Sequence, residues 1–165
     1  DVATFHANGG ITTKPGTIYQ KHGLNLKLTA GDDFVGQVKN YMSGKTPFLR
    51  GTFSMLGLAS EVLGQDPRTK PVVFLQLTYS VGDHMVARPG LKSLNDLKGK
   101  KIALQKGGPH VGMLDDILRT PKLKWGDIQV VWADDLTGDK GQVALVRNDP
   151  TIDAFIVIST DMIGG

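Results

Sequence analysis

The groups able to do chemistry in this chain are hydrogen-bonding side chains and histidines set where apolar runs end. The densest such place is Leu97–Leu118, LKGKKIALQKGGPHVGMLDDIL. The run Ile102-Ala103-Leu104 stops at Gly107-Gly108, and Pro109-His110 open a segment carrying Val111, Leu114, Ile117 and Leu118 on one face. The pattern predicts strand, tight turn, helix. Proline suits the first helical position because its missing N–H would be unpaired there anyway, and the two glycines let the backbone approach a neighbour closely. A helix start behind a parallel strand offers free N–H groups to a small anionic or polar ligand. An empty turn of an ordinary α/β protein has the same pattern. His110 falls in that first turn, where the helix dipole disfavours positive charge, so a neutral imidazole that donates or accepts is expected.

Other candidates are scattered. Asn8, before Gly9-Gly10, donates and accepts at once, or serves only as a turn residue. Ser54 is a ligand donor or the N-cap of the helix that follows it. Arg50 has the fork that grips carboxylate, sulfonate or phosphate. It lies in the first half of its expected strand, so a surface or structural ion pair is the simpler reading. Asp83 and His84 interrupt an apolar run, and either fix a crossing segment or touch a ligand. His6, His84 and His110 lack the spacing of a metal site, and no metal is expected. The adjacent Asp115 and Asp116 do not share a helix face and read as a solvated surface. The chain contains no G-x-x-x-x-G-K-[ST], G-x-S-x-G or H-E-x-x-H. Nothing marks a nucleophile or a matched acid–base pair, and no cofactor is expected.

The elements that must hold these groups follow an α/β alternation. Strands are expected over Val2–His6, Leu24–Leu28, Phe48–Phe53 and Val72–Tyr79, the last of the β-rich kind buried in parallel sheets. Between them fall a short helical turn at Thr17–His22, a helix capped at Asp32-Asp33 and ended by Gly44, and a helix bearing Met55, Leu58, Ala59, Val62 and Leu63. Ser80–Gly90 breaks the pattern. A second unit then runs through a short helix at Ser93–Leu97, with Ser93 and Asp96 as an approximate capping box. The organising strand–turn–helix comes next, then a strand at Ile128–Trp132, a helix capped by Asp139, and a strand at Asp153–Ile158. The second unit closes on Gly164-Gly165 without a helix to cover its last strand, so the chain is expected to be a fragment.

Composition narrows the class. The chain has 165 residues, a net charge of +3, and basic residues only in short clusters without interleaved aromatics. Nucleic acid is therefore not the expected partner. The absence of Cys removes disulfides, thiolate nucleophiles and zinc–thiolate sites. No apolar run approaches the roughly 18 residues of a membrane span.

Three phrases carry a family resemblance: Tyr19-Gln20-Lys21-His22-Gly23-Leu24, Tyr79 to Ala87 (YSVGDHMVA), and Leu91 to Ala103 (LKSLNDLKGKKIA). Together they resemble type II periplasmic solute-binding proteins of ABC importers, in the nitrate/sulfonate/taurine and thiamine-pyrimidine-precursor branch. The resemblance implies two lobes, each a mostly parallel sheet flanked by helices: residues 1–81, a crossing or hinge segment over 82–90, and an incomplete second lobe over 91–165. It implies an extracytoplasmic, monomeric protein that closes on a small polar or anionic organic solute and hands it to a membrane permease. In such a fold the loops at the carboxyl ends of the strands face the ligand. Those loops nominate Asn8, Gly9, Ser54, Ser80, Asp83, His84, Gly108, His110, Thr137 and Ser159. An acidic Asp83 in the cleft would favour a ligand with a donor or cationic group, in conflict with a purely anionic one. Two alternatives share the fold: an enzyme similar to the pyrimidine-precursor synthases, and the ligand-sensing domain of a larger receptor.

Overall fold

The computed structural model describes residues 22–23, 33–76 and 79–159. The chain divides into two compact units, Asp1–Asp32 and Asp33–Gly165. In the first, the described residues are His22 and Gly23, an exposed turn with Gly23 at φ +71°. The strands expected over Val2–His6 and Leu24–Leu28, and the remainder of the Thr17–His22 turn, lie outside the described residues. The sheet and helices described below all belong to the second unit.

Four strands form one mixed sheet: β1 Asp83–Ala87, β2 Lys101–Gln105, β3 Gln129–Ala133 and β4 Ala154–Ile158, in the order β1-β4-β2-β3. β2 pairs in parallel with β3 and β4, and β1 runs antiparallel to β4. The central strands are the most apolar, with Ile102, Ala103, Leu104, Ile156 and Val157 all buried. That is the continuous pattern of a strand covered on both faces. The edge strands β1 and β3 keep exposed positions.

Helix α3, His110–Arg119, connects β2 to β3, and α4, Gln142–Asn148, connects β3 to β4. The two crossovers travel in opposite directions across the sheet, so right-handed connections put α3 and α4 on opposite faces. Leu114 and Leu118 of α3 pack with Ile102, Leu104 and Ile156 in the main core. The remaining helices, α1 Phe34–Met42 and α2 Phe53–Leu63, share a smaller core of Phe34, Val38, Ala59 and Leu63. Asp33 caps α1 by accepting from the Val35 N–H at 3.0 Å, and Gly44 beyond its end adopts φ +72°.

Several expectations need correction. Phe48–Phe53 is not a strand: residues 48–52 are irregular and α2 already begins at Phe53. Arg50 therefore lies in an irregular segment and not in a strand. The cap of α2 is Thr52, which accepts from the Met55 N–H at 3.2 Å, and not Ser54. Thr52 is the residue with the extended backbone that frees its hydroxyl for the first-turn N–H groups. Over Val72–Tyr79 the described residues form no strand, and Val72 and Phe74 are 82% and 75% exposed. Ser93–Leu97 tightens to a 3₁₀ turn at Leu94–Leu97, with Asp96 Oδ2 accepting from the backbone N–H of Ser93 at 2.8 Å and of Lys92 at 2.9 Å. Asp139 sits inside a separate 3₁₀ turn, Gly138–Lys140, and Gly141 caps α4.

Leu114 is fully buried, whereas Leu58 on α2 is 56% exposed. Leu114→Ala should therefore cost about 2–5 kcal/mol of unfolding free energy. Leu58→Ala should stay within about 0.5 kcal/mol. Equilibrium denaturation of the two variants checks this.

Candidate functional site

The strand order concentrates polar groups at one end of the sheet. The carboxyl ends of the parallel strands are where open α/β sheets hold ligands. β2 ends at Gln105 and β4 at Ile158. Because β1 is antiparallel, its first residue, Asp83, lies opposite Ile158 at this same end.

His110, at the start of α3, is 1% exposed and places Nε2 2.9 Å from Asp83 Oδ1. A carboxylate only accepts, so Nε2 carries the proton in this contact. The other ring nitrogen, Nδ1, is buried without a hydrogen-bond partner among the described residues. Ser80 donates its hydroxyl to Asp83 Oδ2. Burial pushes the Asp83 carboxyl up, but the hydrogen bonds from Ser80 and His110 and the electrostatic pull of the two nearby imidazoles outweigh it. The net result holds Asp83 below the ordinary carboxylate range. On the neighbouring strand end, Ser159 donates to the Gly82 carbonyl at 2.9 Å. Its hydroxyl has one proton, so the 2.9 Å contact with His84 Nε2 has the imidazole as donor.

Helices α2 and α3 meet beside this cluster. Ser54 donates to the Pro109 carbonyl at 3.3 Å. Its proton being committed there, the 3.1 Å contact between the two hydroxyls has Thr52 donating to Ser54. Gly112 makes the approach possible, because a Cβ at that position would lie 2.5 Å from Ser54 Cβ. The turn before α3 is equally tight: Gly107 adopts φ +65°, and a Cβ on Gly108 would lie 2.5 Å from Gln105 Oε1.

An open groove of about 570 Å³ runs along this junction. Thr52, Phe53 and Ser54 of the α2 start form one wall, with Ser80 and Asp83 at its head. The other wall is a stripe of α3, Pro109, Gly112, Met113, Asp116, Ile117 and Thr120, with Leu94 at its border. Of the residues nominated from sequence, Ser54, Ser80 and Asp83 line this groove. His110 supports Asp83 from behind. Gly108 is not in the groove lining, and its N–H donates to the Gln105 carbonyl at 3.1 Å. His84 and Ser159 bond to one another. Thr137 precedes the Gly138–Lys140 turn and is not in the groove lining. Asn8 and Gly9 lie outside the described residues.

Sequence reasoning missed Phe53, Gly112, Met113 and Asp116. The α3 lining recurs at helical spacing from Gly112 and Met113 through Asp116 and Ile117 to Thr120, so the stripe was visible as a second helix face beside the apolar one. Asp115 and Asp116 indeed part company. Asp115 takes the Trp125 indole N–H at 2.8 Å and Arg119 Nε at 2.7 Å, while Asp116 faces the groove.

The family described as NMT1/THI5 like matches residues 14–157. A protein of Brucella abortus (strain 2308), named as a binding protein, is 28% identical over 120 residues, or 73% of this chain and 35% of its own length. A Brucella melitensis (16M) protein with the same kind of name matches to the same extent. The chain thus spans about a third of the length of these curated relatives. Among solved structures, one named as the periplasmic sulfonate-binding protein SsuA of a sulfonate ABC transporter from Methylobacillus flagellatus KT superposes with a TM-score of 0.54 at 26% identity. It covers 87% of this chain and 42% of that one. An ancestral arginine-binding protein has the same TM-score of 0.54 at 20% identity, covering 89% of this chain and 58% of its own, a likeness of fold.

A carboxyl held low in the folded state contributes stability that is present above its unfolded value and is lost as pH falls through the folded one. Asp83→Asn should therefore flatten the loss of stability below about pH 4, where free Asp protonates, read as denaturation midpoints across the acid range. Separately, Gly112→Ala should cost about 1–3 kcal/mol through overpacking against Ser54. Gly126→Ala, with nothing within 4 Å of the new methyl, should stay within about 0.5 kcal/mol. Equilibrium denaturation of the glycine variants reads both.

Proposed function

Because this chain belongs to the NMT1/THI5-like family, we propose that it is part of an extracytoplasmic solute-binding protein serving an ABC importer. The observation that carries the reading is the convergence on one groove of three separated segments, 52–54, 80–83 and 109–120. The Ser54–Pro109 and Asp83–His110 bonds tie these segments together. A groove of this size, mostly apolar with a few fixed polar groups, suits capture of a small organic solute. The reading includes a division into lobes at 1–81 and 91–165 with the crossing at 82–90, location in the periplasm, a monomeric state and a membrane permease as partner. The sulfonate-binding neighbour supports it by likeness.

The protein acts by binding and not by catalysis. Among the described residues, two serines lie near histidines, and neither is arranged as a nucleophile. The Ser80 proton goes to Asp83, and His110 touches Asp83 instead of Ser80. The Ser159 proton goes to the Gly82 carbonyl, and His84 donates to it. An activated serine needs the reverse, an imidazole accepting the hydroxyl proton.

Native mass spectrometry of the intact protein tests the reading. The expected result is a small-molecule adduct shed on gentle activation, with a more compact particle in solution scattering when the solute is present. A protein that retains no solute and shows no ligand-dependent compaction would overturn it.

A further inference from the structure

The charge of the groove narrows the solute. We propose that it selects a small organic cation, an ammonium or amidinium carried on an apolar body, with Asp83 as its counter-charge. This deepens the solute-binding reading and rests on it. Among the described residues, the charged side chains of the lining are Asp83 and Asp116, and no Lys or Arg joins them. The chain as a whole carries +3, so the groove inverts the sign of the protein around it. Arg119, the basic residue on α3 next to this face, is tied to Asp115 at 2.7 Å. The histidines beside the groove are engaged away from Asp116: His110 bonds Asp83 at 2.9 Å and His84 bonds Ser159 at 2.9 Å. Asp116 takes part in none of the ion pairs formed among the described residues.

An oxyanion here would meet two carboxylates and no lysine or arginine among the described residues, and an anion leaving water without a partner is strongly disfavoured. A cation meets the opposite situation. Among the described residues, each oxygen of Asp83 accepts from one donor, His110 on Oδ1 and Ser80 on Oδ2. A carboxylate oxygen holds a second lone pair, so both can still accept a charge-assisted N–H bond from a ligand. The two protein donors fix the carboxylate plane in advance. Phe53 is 68% exposed on the groove wall and offers a ring face to a cation or an aromatic body. Met113, Ile117 and Leu94 supply the apolar surface for the remainder of the molecule.

The test uses three probes of one shape and different charge: benzamidinium, benzamide and benzenesulfonate. Calorimetry on the intact protein at neutral pH and low salt should rank benzamidinium at least about tenfold tighter than benzamide, a difference of about 1.4 kcal/mol, with no binding of benzenesulfonate. Asp83→Asn should remove about tenfold of the benzamidinium affinity. Asp116→Asn, outside every hydrogen bond and ion pair that ties the groove walls together, should weaken it by about two- to fivefold, in line with exposed ion pairs. Tighter binding of benzenesulfonate, or no preference for benzamidinium at millimolar concentration, would overturn the cation inference. The solute-binding reading would survive either result if native mass spectrometry shows a retained solute, and would fall only if none is retained.

Discussion

Antiparallel pairing of β1 with β4 is the constraint on which the site depends. Were β1 parallel, Asp83 would lie at the opposite end of the sheet from His110. As it is, Asp83 sits opposite Ile158 and the register is held by five successive residue pairs from Asp83↔Ile158 to Ala87↔Ala154. A slip of one residue would turn every side chain of β1 to the other face. The Asp83–His110 bond then fastens the start of α3 to the start of β1. Arg88 extends the anchoring at the far end of the strand, with Nε donating to the Ile152 carbonyl at 2.7 Å.

The second contact of consequence is between helices. Gly112 allows α2 and α3 to touch at Ser54, so the backbones behind the two groove walls are held close. A wall built this way keeps its shape as solute enters, which limits the ordering cost of binding. The polar groups inside are likewise committed to protein partners before any ligand arrives. Ser54 serves Pro109, and Ser80 and His110 serve Asp83. Among the described residues, what remains open to a solute is the lone pairs of Asp83 and the carboxylate of Asp116.

How far the sequence revealed this architecture depended on what each segment packs against. β2, β3 and β4 were legible because each is a short apolar run bounded by turn residues, with β2 and β4 buried by their neighbours. β1 was legible only as a crossing run, since nothing in DHMVA states which strand it will join or in which direction. The runs at Phe48–Phe53 and Val72–Tyr79 have the composition of strands, but β-propensity records packing against cross-strand neighbours more than a backbone preference. None of the described strands pairs with either run. Local capping chemistry was partly readable: Asp33 caps α1 as its position suggests, but Thr52 displaces Ser54 because the helix starts one residue before Ser54.

The site was legible in its loops and hidden in its helices. Ser54, Ser80 and Asp83 stand beside the ends of apolar runs, so a rule about where α/β folds keep their polar loops is enough to nominate them. Helical spacing shows Met113 and Asp116 as one face of α3, but only the crossing of α2 over α3 turns that face and Phe53 into groove walls. The same crossing changes what the charges mean. In sequence Asp116 is half of an adjacent acidic pair on a solvated helix, and the chain is basic. In three dimensions its neighbour Asp115 is neutralised by Arg119 and bonded to Trp125, leaving Asp116 to add its charge to that of Asp83 in the same groove. The groove's sign is thus a product of which carboxylates the fold pairs off and which it leaves facing the solute.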